Sequence, residues 1–225
     1  MVAAVTEENR PMSDDGQRTE ALRTLLERRD LTDPAQGRHS MQELVARLCN
    51  AVDGRRCRSL RTPPLVPAIQ GWRARHATTE TVLAALPDLV AEEQDGLLLS
   101  CAGVVCGNRQ QDATVLVAHQ LDCWILGEGR STVLSGAVGG AMAAALPGVP
   151  YRLLPQRESR IGPGFRVDVL AAGQWQEVGL CGVLETDVTV AAGFSLMLEP
   201  LLAVAPWADQ APAAGMTQTV TSSRS

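Results

Sequence analysis

The sequence contains no lysine; all 20 of its basic residues are arginine. That absence excludes a Schiff-base lysine, a P-loop lysine and the phosphate-pairing lysine of a kinase. Aromatic residues make up only 3% of the chain, so few rings are on hand to stack on a planar ligand. The six cysteines (Cys49, Cys57, Cys101, Cys106, Cys123 and Cys181) form no C-x-x-C pair, and the three histidines (His39, His76 and His119) are scattered. This spacing gives no zinc site, and no metal or other cofactor is expected. No apolar run reaches the roughly 20 residues of a membrane span, and no signal peptide is recognisable. Free thiols in a cytoplasmic protein are the expectation. A net charge of −5 and a pI near 5.3 provide no basic face to follow a phosphate backbone, so extended contact with tRNA is not expected from this chain alone.

What is present suits one main domain: 225 residues, 45% hydrophobic and 20% charged, enough for a sizeable core. Residues 1–17 and 206–225 read as mobile tails around a domain at 18–205, being polar or rich in Ala, Thr and Ser without periodicity. Helices are predicted over Arg18 to Arg29, from Ser40, and from about Thr79. Ser40 and Glu43 have the spacing of a capping box, ahead of the stripe Met41, Leu44, Val45 and Leu48. Pro87 is expected to end or kink the third helix. Strands are predicted over Gly96 to Cys106 and Thr114 to Leu126, then, after a small-residue helix from Ser131, near Tyr151 to Leu154, Phe165 to Ala171 and Gln174 to Leu184. Ala171-Ala172-Gly173 reads as a tight hairpin turn. Strands grouped apart from helices, without regular βαβ alternation, imply an α+β fold with a largely antiparallel sheet.

The strand from Thr114 to Leu126 carries the most chemistry. Alternation puts Ala118, Gln120, Asp122 and Trp124 on one face, and Val117, His119, Leu121 and Cys123 on the other. An amide, a carboxylate and an indole in a row within so apolar a strand either face water or line a pocket. Periodicity does not choose between these two.

A series of segments then adds a resemblance. GVVCGNRQQDAT, AHQLDCWIL, RLLPQRESRIGPGFRVDV and WQEVGLCGVLETDV resemble, in order and spacing, the catalytic domain of the phenylalanyl-tRNA synthetase α subunit. The resemblance rests on Gly103-x-Val105, Asp112-Ala113-Thr114, His119-Gln120-x-Asp122, Arg152 with Pro155, Pro163, Val167-Asp168-Val169, and Trp175-x-Glu177 followed by Cys181-Gly182. It covers roughly Gly103 to Val188, and more loosely Leu44 to Val204. It implies a class II aminoacyl-tRNA synthetase-like antiparallel sheet flanked by helices, with Gln120, Asp122 and Trp124 on the ligand-facing side. A parallel sheet, or Gln120 and Asp122 beneath a helix, would contradict that. It also implies that Gln120 and Asp122 hold an amino acid's ammonium group, with Asp in place of the family's usual Glu. His76, in HATT, loosely resembles the segment that lines the family's amino-acid site, and either lines the site or is a loop or helix-start residue. His119 faces away and reads as a core histidine.

The departures from the family matter equally. Its motif 2 arginine, which grips the α-phosphate and carboxylate, falls on Gly107, with Arg109 two residues along. Its motif 3 arginine falls on Pro200. Loss of one such positioned charge typically costs on the order of 10² to 10³ in rate, so canonical adenylation is not expected. Glu158-Ser159-Arg160 stands where the family stacks two phenylalanines on the substrate ring; Glu158 and Arg160 either line an altered pocket or are solvated. Three readings follow. The first is a biosynthetic enzyme acting on a small amino acid or aminoacyl group, with Asp122, Asp168 or Glu177 moving protons if burial raises a carboxylate's pKa. The second is a non-catalytic paralogue that senses an amino acid or binds a synthetase or biosynthetic partner. The third is an active amino acid–tRNA ligase. The resemblance also implies a homodimer, since the family pairs through its motif 1 region, here near Arg61 to Pro67.

Overall fold

The computed structural model describes residues 29–52, 56–61, 77–91, 96–108, 115–127, 131–156, 164–185 and 190–208. Four helices, α1 (Ser40–Asn50), α2 (Ala77–Ala91), α3 (Ser131–Ala145) and α4 (Leu198–Val204), accompany strands β1 (Cys57–Arg61), β2 (Leu98–Asn108), β3 (Val115–Leu126), β4 (Tyr151–Gln156), β5 (Gly164–Ala171), β6 (Gln174–Glu185) and β7 (Val190–Met197). The strands form one sheet in the order β1-β2-β3-β7-β6-β5-β4. Every pairing is antiparallel except β1 with β2, so the largely antiparallel α+β expectation holds.

Both faces of the sheet bury apolar surface. Leu121, Cys123 and Ile125 of β3, with Val167, Val169 and Phe194, meet Leu44 and Leu48 of α1, Val138 and Met142 of α3, and Leu198 and Leu201 of α4. Burying one such aliphatic side chain contributes about 1.5 to 3 kcal/mol, which is why the amphipathic stripes set the helices here. On the opposite face Val82, Leu86 and Leu89 of α2 pack on Leu99, Cys101, Trp124 and Leu126. That face carries the candidate site.

Several local expectations are corrected. Ser40 is the first residue of α1, and the cap is His39, whose extended backbone lets Nδ1 accept from the Met41 amide at 3.1 Å. Glu43 turns to Arg47, at 2.7 Å, in place of closing a capping box. Of the two outcomes expected at Pro87, an end or a kink, the first does not occur: α2 runs on to Ala91, with buried Leu86 and Leu89 anchoring it on either side. The missing amide costs one hydrogen bond, and packing outweighs it. β1, β7 and α4 had no counterpart in the sequence reading. Trp207, assigned to the C-terminal tail, donates its indole N–H to the Ala145 carbonyl at 2.6 Å and stacks under Arg47. The packed chain therefore extends past 205. The helix expected at 18–29 lies outside the described residues except for Arg29, which is not helical.

The turn between β5 and β6 is as read. Ala172 and Gly173 have φ of 48° and 78°, the left-handed pair of a two-residue hairpin. At Gly193 the requirement is space, because a Cβ there would run into the Cys123 carbonyl of the neighbouring strand.

Candidate functional site

The register of β3 against β7 sets Gln120 opposite Met197, Asp122 opposite Ser195 and Trp124 opposite Gly193. Side-chain alternation holds as predicted, so Gln120, Asp122 and Trp124 share a face, and all three are buried, Asp122 with no exposure at all. Asp122 Oδ1 accepts from Thr79 Oγ1 at 2.7 Å and Trp124 Nε1 at 3.0 Å. Its Oδ2 accepts from Gln120 Nε2 at 2.9 Å and Ser195 Oγ at 3.4 Å. Gln120 Nε2 also donates to Thr78 Oγ1 at 2.7 Å.

Among the described residues all four donors to Asp122 are neutral. A carboxylate offers about four lone-pair sites, so these donors satisfy its hydrogen bonds without bringing a counter-ion. The first turn of α2 supplies both threonines, and the positive end of a helix dipole favours an anion there. The amide orientation of Gln120 follows from chemistry, since only its NH2 can face a carboxylate. Its Oε1 is consequently left without a donor among the described residues.

Farther along the same face, Asp168 of β5 is buried between two arginines. Arg166 forks onto it, Nε to Oδ1 at 2.8 Å and Nη2 to Oδ2 at 3.1 Å. Arg152, directly opposite on β4, reaches Oδ2 through Nε at 3.0 Å and lies over the Trp175 ring. Burial pushes the Asp168 carboxyl up, but the hydrogen bonds and charges of Arg166 and Arg152 outweigh it and hold the group below its ordinary value. That is the reverse of the shift a proton-transferring acid near neutrality needs. Glu177 is cross-strand from Asp168, more than half exposed and 3.9 Å from Arg166.

His119 lies on the other face, fully buried, as the core histidine it was read to be. Its Nε2 lies 3.0 Å from the Leu31 amide and 3.2 Å from the Arg29 carbonyl, and its Nδ1 lies 2.7 Å from Glu199 Oε1. Glu199 also accepts from the His119 amide. This ties the first turn of α4 to β3, with Pro200 in that turn. Gly107 is on β2, opposite Leu116.

The structure thus brings Gln120, Asp122 and Trp124 together and places Asp168 and Glu177 as a separate ion-paired group on β5 and β6, the two strands beyond β7. His76, Glu158, Arg160 and Arg109 lie outside the described residues. Trp124 holds Asp122 and fills the core beneath α2. Sequence reasoning missed Thr78, Thr79 and Ser195. Paired threonines at the start of an apolar helical run were the available signal for the first two; nothing local marks Ser195, which only the β3–β7 register brings in.

No protein-family model matches the sequence, and no curated protein does. Among solved structures the chain is similar to pyrrolysyl-tRNA synthetase from Desulfitobacterium hafniense, with a TM-score of 0.52 and 19% identity over 85% of this chain and 75% of that one. A second structure of the pyrrolysyl-tRNA synthetase PylSc from the same organism gives 0.51 and 18%, over 85% and 74%. The seven-stranded, mostly antiparallel sheet with its four helices matches the catalytic fold of class II aminoacyl-tRNA synthetases. The expectation that a helix over Gln120 and Asp122 would contradict this fold was mistaken: α2 covers the Trp124 end of the row and sets its first turn on the pair.

Proposed function

We propose that this protein binds a small amino acid or aminoacyl group by its ammonium, at Gln120 and Asp122, and acts in a biosynthetic pathway without canonical adenylation. One observation carries the reading: Asp122 is a fully buried carboxylate whose described partners are all neutral donors. A buried anion without a counter-ion favours a cation brought by a ligand, and an ammonium meets it in a charge-assisted bond about twice as strong as a neutral one. Gln120 Oε1 is the second acceptor. The resemblance to the phenylalanyl-tRNA synthetase α subunit supports the same assignment, and the pyrrolysyl-tRNA synthetase structures supply a relative in fold that acts on an amino acid.

Gly107 and Pro200, in place of the two arginines, argue against activation by ATP. Glu158-Ser159-Arg160, in place of ring-stacking residues, favours a polar ligand over phenylalanine or tyrosine. The second reading, a non-catalytic amino-acid sensor or partner-binding paralogue, is favoured by Asp168, which the arginines keep ionised and unsuited to proton transfer. A homodimer is part of either proposal.

A calorimetric panel of free amino acids against wild type and Asp122→Asn tests the reading. Binding of a small polar amino acid, lost or weakened in the variant, is the expected result. Equal affinity in both proteins, or tightest binding of phenylalanine, would sink it. Amino-acid-dependent pyrophosphate exchange would instead make the chain an active ligase.

A further inference from the structure

The thiols are unevenly spread over the fold. Cys49 of α1 and Cys123 of β3, 74 residues apart in sequence, bring their Sγ atoms to 3.6 Å. Both are unbonded; Cys49 is partly exposed and Cys123 buried. Beside them Ser100 Oγ lies 3.0 Å from Ser59 Oγ and 3.4 Å from Cys57 Sγ. A disulfide needs the sulfurs at about 2.05 Å, so the pair must close by about 1.5 Å, within reach of a side-chain rotation where both thiols already point at each other.

We propose that Cys49 and Cys123 form a reversible thiol-oxidation site that takes a hydroperoxide and closes an intramolecular disulfide between α1 and β3. Cys49 is the attacking group because it is the one that solvent reaches. The hydrogen bond from Cys123 lowers the pKa of the Cys49 thiol, burial opposes this, and the Ser100 hydroxyl adds to the lowering. Burial, then the hydrogen bond and charge of Cys49 and the charge of Asp122, push the Cys123 thiol well up, so Cys123 stays protonated until it resolves the intermediate.

The Cys49 thiol gives its proton to solvent and the thiolate attacks the peroxide: an S–O bond forms, the O–O bond breaks, and the alkoxide takes a proton back from solvent and leaves as an alcohol, or as water when the oxidant is hydrogen peroxide. Cys49 becomes a sulfenic acid, oxidised by two electrons as the peroxide is reduced. Cys123 then attacks the Cys49 sulfur, giving its proton to the departing hydroxide. The S–S bond forms, the S–O bond breaks and water leaves. The product pins α1 to the strand that carries Asp122, one residue away on the opposite face.

The test treats the full chain with a few equivalents of hydrogen peroxide and maps its peptides without reduction. A Cys49–Cys123 cross-link that dithiothreitol reverses is expected, unchanged in Cys57→Ser and absent in Cys49→Ser. In Cys123→Ala the same peroxide should leave a Cys49 sulfenic acid trapped by dimedone. Circular dichroism checks that each variant folds. A cross-link from Cys49 to Cys57, or oxidation confined to the exposed Cys57, would overturn the proposal. So would a wild-type chain that remains fully reduced.

Discussion

Two buried carboxylates share one face of the sheet and are accommodated in opposite ways. Asp168, between β4 and β5, is held by two arginines that are each more than a third exposed. Asp122, between β3 and β7, has among the described residues only hydroxyls, an amide and an indole for partners. The first arrangement is electrically closed: its cations are built in, its pKa is lowered, and it fastens an outer strand to the sheet. The second is satisfied in hydrogen bonds and open in charge. Burial therefore does not tell the two carboxylates apart; the charge of their described partners does.

The joint between the two regions is the β3–β7 contact, and Gly193→Val should break it. The added side chain meets the Cys123 carbonyl and the Trp124 backbone, so the loss of stability should be on the order of 4 kcal/mol or more, read as a collapse of Tm or of soluble yield. A variant that melts like the wild type would show that the strands part more easily than the geometry implies.

Asp168→Ala leaves two guanidinium groups facing a buried gap. Chemical denaturation should register a loss of about 3 kcal/mol, because breaking such a pair strands its partners, while affinity for an amino-acid ligand stays close to wild type. Asp122→Asn should weaken ligand binding, by about 1.5 to 3 kcal/mol, because it removes the charge. It also turns one acceptor oxygen into an NH2 that faces two donors, so a loss of about 1 to 3 kcal/mol in stability accompanies it. If Asp168→Ala weakened ligand binding as much as Asp122→Asn does, the contrast between a closed and an open carboxylate would fail.

Acid sharpens the comparison further. The folded pKa of Asp168 is lowered from 3.8, so its arginine pairs stabilise the fold above that value, and the contribution is lost as pH falls through the lowered pKa. Wild-type stability should therefore drop more steeply below pH 3.8 than that of Asp168→Asn, measured by urea melts across the acid range. The smallest effect belongs to the hairpin that carries Glu177. Ala172 holds a left-handed φ of 48°, and Ala172→Gly should raise stability by about 1 kcal/mol by relieving it. A loss of stability would mean that the unfolded-chain entropy of glycine prevails.

Legibility in the sequence followed the strength of the local signal. β2 and β3 are long and apolar, α1 has a clean stripe, and the β5–β6 turn carries its glycine where a two-residue hairpin requires one. β7, VAAGFSLM, was invisible because alanine, glycine and serine have poor strand propensity. It is nonetheless central, since small side chains let it press against β3 and β6. β1, CRSLR, is a five-residue edge strand with little apolar surface to announce it. Alternation put Gln120, Asp122 and Trp124 on one face, but the donors from α2 and β7 come from 43 residues before Asp122 and 73 after it.

By itself, then, the sequence determined the α+β class, the largely antiparallel pairing and the shared face of the central polar row. These follow from side-chain periodicity and turn chemistry, which act over a few residues. Only the tertiary structure decided that Asp122 receives neutral donors while Asp168 receives arginines. It likewise decided that α2 roofs one end of the site and that Cys49 meets Cys123. The electrostatic state of a buried group depends on whatever the fold brings within about 4 Å of it, and those neighbours come from strands and helices far apart in the chain.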